Sequence, residues 1–166
     1  FPYLAAPPGA LPALPGGGRK IGLVWSGNPQ QPQNRWRACA FEDLAPLLDL
    51  PDTTFFSLQK GSAAADRLLH DAGDRIFDLG PGLTDFGVTA RVLDGLDLLI
   101  TTDTAIAHLA GALDRPAFLL LAHHADWRWG RSGDAAPWYR SLRLFRQGTP
   151  GDWAGVVARV RAALSA

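Results

Sequence analysis

The chain has 166 residues, 47% of them apolar, enough for one well-formed core and too few for two ordinary domains. Sixteen basic and sixteen acidic residues cancel, so no net field favours a nucleic-acid or acidic-membrane partner. Cys39 is the single cysteine, which excludes an internal disulfide and a thiolate metal cluster and favours a reducing, cytoplasmic setting. No apolar run approaches the roughly 18 to 20 residues that span a bilayer, and no basic segment followed by an apolar one marks a signal peptide. The absence of methionine, even at position 1, suggests a piece of a longer chain.

Residues 1–18, FPYLAAPPGALPALPGGG, mix Pro, Gly, Ala and Leu and read as a linker ending in a Gly hinge. A domain over 19–166 follows, in which apolar runs alternate with segments of helical period. KIGLVW is the first strand, FEDLAPLLDL a helix, TTFFSL the second strand and SAAADRLLHDAG a helix. RIFDL, TDFGVTARVLDGL with Thr84 as its cap, and DLLITT give a third strand, a helix and a fourth strand. AIAHLAGAL is a helix, PAFLLLA the fifth strand, SLRLFRQ the sixth and GDWAGVVARVRAAL the closing helix. The apolar runs are continuous, as in parallel strands covered on both faces. The expectation is a doubly wound α/β fold with a mostly parallel six-stranded Rossmann-like sheet, binding its ligand at the carboxyl ends of the strands.

That geometry selects Ser26 to Arg37, Gln59 to Ser62, Thr101 to Thr104 and His123 to Arg131 as functional candidates. In AIAHLAGAL, the spacing of Ile106, Leu109, Ala110 and Leu113 makes an apolar face for the sheet. His108 lies off that face one turn beyond Thr104, and helical side chains lean toward the N-terminus, so Asp103, Thr104 and His108 are expected to converge. A helix N-terminus attracts phosphate, and small Ala105 would admit it closely. The residues equally allow a plain N-cap at Asp103 or Thr104 and an interior histidine.

The polar loop WSGNPQQPQNRWRACAF places Arg35 and Arg37 where planar guanidinium groups suit a diphosphate, or where they are simply surface charges. Lys60 occupies the same edge after the second strand. In HHADWRWGRSGDAAPWYR, Trp127, Trp129 and Trp138 either form a stacking wall beside Asp126 and Arg128 or pack the loop onto its domain. His123, His124 and Asp126 make a poor metal site, because adjacent histidines rarely share an ion and no third spaced ligand follows. There is no Gly-x-Gly-x-x-Gly after a strand, no Walker A sequence, no Gly-x-Ser-x-Gly elbow and no His-Glu-x-x-His, which disfavours nicotinamide dehydrogenases, P-loop enzymes, serine hydrolases and zinc proteases.

KIGLVWSGNP, NRWRACAFEDLAPLL, FFSLQKG, LTDF, LDLLITTDTAIAHLAGALDRP, DWRWG, PWYRSLRLFRQ and GDWAGVV, taken in order, resemble the C-terminal part of bacterial tetratricopeptide-repeat glycosyltransferases. These are related to the ADP-heptose:lipopolysaccharide heptosyltransferases, family 9. The resemblance implies the donor-binding half of a GT-B fold, its catalytic base lying in a missing N-terminal half and none in this chain. It implies no cofactor or metal, and two partners: a nucleoside-diphosphate sugar, with an ADP-linked donor favoured, and an acceptor-binding or repeat region of a longer chain. The family segment that contacts donor sugar and diphosphate maps onto Asp103, Thr104, Ala105 and His108, with Ala105 standing where the heptosyltransferases carry glycine. Ser26, Asn28, Arg35, Arg37, Gln59, Lys60, Asp126 and Trp127 complete the expected substrate contacts. The family's acidic ribose contact has no clear match near Gln59 and Lys60, and Asn34 and Ala38 replace an acid and a hydroxyl common in the repeat-linked relatives. Those departures point to the alternative of a non-catalytic sugar-nucleotide-binding or protein-interaction module.

Overall fold

The computed structural model describes residues 2–61 and 72–165. Six strands run β1 (Arg19–Val24), β2 (Thr53–Ser57), β3 (Ile76–Asp78), β4 (Leu98–Thr102), β5 (Ala117–Leu121) and β6 (Leu142–Arg146). They form one sheet in the order β3-β2-β1-β4-β5-β6, with every neighbouring pair parallel. This is the strand order of a doubly wound nucleotide-binding sheet, whose direction of winding reverses between β1 and β4.

The described α-helices are α1 (Asn34–Arg37), α2 (Phe41–Leu44), α3 (Phe86–Asp94), α4 (Ala105–Ala112) and α5 (Trp153–Ser165). Successive strand residues point to opposite faces of the sheet, and both faces are apolar here. Ile21, Leu23, Phe55, Ile100 and Leu120 bury against Leu44, Trp153, Val156 and Val160 on one side. Val24, Phe56, Leu99, Leu119 and Leu144 bury against Val92, Leu93, Ile106 and Ala110 on the other.

Three local expectations shift. The cap of α3 is Asp85, whose carboxylate accepts from the Val88 N–H at 2.8 Å, and not Thr84. FEDLAPLLDL divides into α2 and a 3-10 turn at Ala45–Leu47 that contains Pro46, which lacks the N–H needed to extend an α-helix. The polar loop after β1 contains the one-turn helix α1, too short to show a period. The helix expected in SAAADRLLHDAG falls almost wholly on residues 62–71, outside the described ones.

Residues 2–18 carry no helix or strand. The Tyr3 and Leu4 N–H groups donate to the Ala112 carbonyl at 3.0 and 3.2 Å, Ala6 and Leu14 pack on the core, and the Thr54 hydroxyl donates to the Gly17 carbonyl.

Candidate functional site

The loops after β1 and β4 lie at the switch point, and buried amides hold the first of them in place. Gln59, 9% exposed, accepts the Trp25 and Ser26 N–H groups on Oε1 at 3.2 and 2.9 Å and donates Nε2 to the Ser26 and Lys60 carbonyls, both at 3.0 Å. Both lone pairs and both protons of its amide are thereby engaged, so Gln59 clamps the loop instead of offering its amide to a ligand. Asn34 works in the same way from α1: its Oδ1 accepts the Gly27 N–H at 2.8 Å and its Nδ2 donates to Ser26 Oγ at 3.0 Å. Asn28 turns its own loop, taking the Gln30 N–H on Oδ1.

At the end of β4, Thr104 is the N-cap residue of α4 by backbone conformation but makes no capping hydrogen bond with its side chain. The Thr101 hydroxyl donates to the Thr102 carbonyl, so the Thr104 hydroxyl, 3.1 Å away, donates to Thr101. That inward bond leaves the first-turn N–H groups of α4 without a side-chain acceptor beside an exposed Ala105. They open into a depression of about 520 Å³, lined by Ser26, Asn28, Lys60, Leu83, Thr104 and Ala105 among others. Lys60 reaches across it, its Nζ donating to the Leu83 carbonyl.

Asp103 faces the other way. It lines a larger depression of about 660 Å³ at the ends of β4, β5 and β6, with Trp36, Arg37, His123, Arg128 and Gln147. Its carboxylate is 8% exposed and lies 3.9 Å from an Arg37 Nη. Asp126 caps the turn Trp127–Trp129, accepting from the Arg128 N–H at 3.0 Å, and its carboxylate lies 3.4 Å from Arg128 Nε.

Asp103 and Thr104 thus serve adjacent depressions, and His108 lines neither. Its Nδ1 is 3.1 Å from the Tyr139 hydroxyl, and its ring stacks on the fully buried Trp129 with centroids 5.0 Å apart. Burial pushes the His108 pKa below its ordinary value; Asp103 and Asp126 oppose that shift and Arg128 adds to it. Arg35 lies over the Trp36 ring and enters neither depression, and Trp127 is 77% exposed outside both. Of the three tryptophans expected in a wall, Trp129 belongs to the core while Trp138 is exposed and donates its indole N–H to the Arg128 carbonyl.

Sequence reasoning missed Gln147, which sits directly after β6; the rule applied to the other strand ends would have found it. Asn34 falls within the Ser26 to Arg37 loop that the rule selected, but its bonds to Ser26 and Gly27, like the contact of Tyr139 with His108, depend on partners brought in by folding. Among the described residues, no group of three or more His, Cys, Asp or Glu is placed to hold a metal, and no helix is long and apolar enough to cross a membrane.

A 3-2-1-4-5-6 parallel sheet with an uncapped helix N-terminus at its switch point defines a Rossmann-like domain of the kind found in GT-B enzymes. The model of glycosyltransferase family 9 (heptosyltransferase) matches residues 16–151, and the chain belongs to that family. It is similar in fold to the ADP-heptose LPS heptosyltransferase II of E. coli, with a TM-score of 0.61 at 18% identity over 93% of this chain and 50% of that one. A second solved relative in fold is the E. coli heptosyltransferase WaaC with ADP, with a TM-score of 0.62 at 19% identity over 90% of this chain and 44% of that one. Protein FlbA of Caulobacter vibrioides is 30% identical over 157 residues, which are 90% of this chain and 25% of that protein. The chain therefore spans a quarter of that relative and half or less of the two heptosyltransferases.

Proposed function

We propose that this chain is the donor-binding half of a metal-independent, inverting glycosyltransferase that uses a nucleoside-diphosphate sugar, with an ADP-linked donor favoured. The observation that carries the reading is the N-terminus of α4, whose side-chain cap is turned inward while its N–H groups open into the depression at the switch point. Such a terminus carries about half a positive charge and takes a diphosphate without a metal. Lys60 stands on the same depression as the cation for the departing nucleoside diphosphate, and Arg37 stands on the neighbouring one beside Asp103. Asp103 accepts hydroxyl protons of the transferred sugar. The base that deprotonates the acceptor hydroxyl comes from an acceptor-binding region outside these residues, which in a longer chain also contributes any helical repeats.

Titration with ADP and an ADP-sugar, followed by calorimetry, tests this. Ala105→Asp places a carboxylate where the phosphate would sit. It is expected to leave folding intact or add about 0.3–1 kcal/mol through the helix dipole while weakening ADP roughly tenfold or more. Equal ADP affinity in the two proteins, or no binding of ADP, GDP or UDP at millimolar concentration, would favour a module whose sugar-nucleotide site has decayed.

A further inference from the structure

The composition of residues 2–18 suits a linker, yet folding seats them against a helix face shaped for backbone. Gly87, Arg91 and Gly95 follow at four-residue spacing and share one side of α3 and its C-terminal end. A Cβ on Gly87 would lie 3.1 Å from Pro7 Cγ, and one on Gly95 would lie 2.8 Å from Leu14 Cδ1. Between them Gly9 crosses Arg91, where a Cβ would lie 3.4 Å from the Arg91 Cδ, Nε and Cζ atoms. Gly16, at φ +87°, would place a Cβ 2.5 Å from Thr54 Oγ1, so this glycine serves close approach as well as a bend. Pro12 and Leu14 are half-buried, and Leu14 packs on the core.

The start of the segment supplies what a helix terminus lacks. The last four carbonyls of a helix have no donor within it. In α4 those of Leu109, Ala110 and Gly111 receive the N–H groups of Leu113, Arg115 and Asp114, while that of Ala112 receives the N–H groups of Tyr3 and Leu4. The Tyr3 hydroxyl then lies 3.3 Å from that of Tyr139, which is 3.1 Å from His108 Nδ1. His108 stacks on Trp129, which ends the turn capped by Asp126. Asp126 and Arg128 stand on the wall of the larger depression, so an unbroken series of contacts joins the segment to that wall. With no helix or strand of its own, the segment opens at lower cost than the sheet beneath it.

We propose that residues 2–18 are a strap belonging to the domain, which through Tyr3, Tyr139 and His108 holds the turn of Asp126 to Gly130 on the wall of the larger depression. Release of the strap loosens that wall. The proposal stands on contacts within the chain and does not depend on which ligand either depression takes.

Amide hydrogen exchange followed by NMR, without ligand, tests it. In the native chain the Tyr3 and Leu4 amides should be protected, as should those of Arg128, Trp129 and Gly130, which bond within the turn. Deleting residues 2–15 should speed exchange of the three turn amides roughly tenfold or more and leave the amides of β1 and β4 unchanged. Tyr3→Phe keeps the ring and removes the hydroxyl link, and should speed the turn amides while the Leu4 amide stays protected. Leu14→Asp, far along the segment from Tyr139, should speed both the Leu4 amide and the turn. Should the deleted chain fail to fold, the two substitutions carry the test. Tyr3 and Leu4 amides that exchange as in an unstructured peptide, turn amides indifferent to all three changes, or turn and strand amides that speed up equally would each overturn the proposal. Because no ligand is present, none of these outcomes bears on the donor-half reading, which ADP titration tests separately.

Discussion

His108 is held by an aromatic setting drawn from distant parts of the chain. The Tyr139 hydroxyl meets its Nδ1 at 3.1 Å and is itself 3.3 Å from the Tyr3 hydroxyl, while Trp129 covers the ring. In the unfolded chain the imidazole titrates near its ordinary 6.5; in the fold, burial places the titration lower. Between the two values the unfolded state holds more protons, so the contribution of His108 to stability is complete above pH 6.5 and is lost as pH falls through the folded value. The midpoint of urea unfolding should therefore drop between pH 8 and pH 5 more steeply for the native chain than for His108→Gln. The charged groups that act on the ring are Asp103, Asp126 and Arg128, and the comparison isolates their combined effect with burial. Gln59 gives a second residue-scale expectation. Replacing it by Leu removes four hydrogen bonds, three of them to the β1 loop, and leaves buried partners unsatisfied, so the chain should lose about 2–4 kcal/mol by denaturant unfolding. None of this was legible beforehand: a glutamine after a strand looks the same whether it serves a ligand or a loop, and the choice is made by the Ser26 backbone 33 residues away.

Helix α4 is covered on more than one side. Ile106, Ala110 and Leu113 are buried, as the helical spacing indicated, and Leu109 is partly buried. On another side the Tyr139 ring approaches so closely that a Cβ at Gly111 would lie 2.2 Å from Tyr139 Cγ. Two effects compete in Gly111→Ala. Alanine is the better helix former by roughly 0.5–1 kcal/mol, but the ring must move, and overpacking of this kind is destabilising by about 1–3 kcal/mol. The clash should win: the substitution is expected to lower stability and to alter the His108 imidazole nitrogen shifts as Tyr139 leaves Nδ1. A gain in stability with unchanged shifts would show that the ring accommodates a methyl group. The sequence marked the N-terminus of the same helix as a candidate anion site by its small residues and position after β4, and left a plain N-cap equally open. That its cap hydroxyl turns inward to Thr101 was not legible, since a threonine at that position caps or not according to a hydroxyl three residues back.

At the scale of the whole chain, both depressions are built at the carboxyl ends of the parallel strands, where a second domain of a GT-B enzyme would face them. An assay of transfer from an ADP-sugar by these residues alone should show binding and no turnover; turnover would place the base within them. Much of the architecture was determined by the sequence: continuous apolar runs that pack only as covered strands, the turn of helix after strand, and hence the six-stranded α/β sheet with its candidates at the strand ends. These follow from short-range periodicity and burial, which act wherever the chain goes. The tertiary structure decided how the candidates divide. It sent Asp103 to the depression of β4 to β6 and Thr104 and Ala105 to that of the switch point, gave His108 to Tyr139 and Trp129, and committed Gln59 to the backbone. The reason is physical: a hydrogen bond is satisfied within about 3 Å by whichever partner the packing brings near, and that partner is set by the stacking of elements many residues apart.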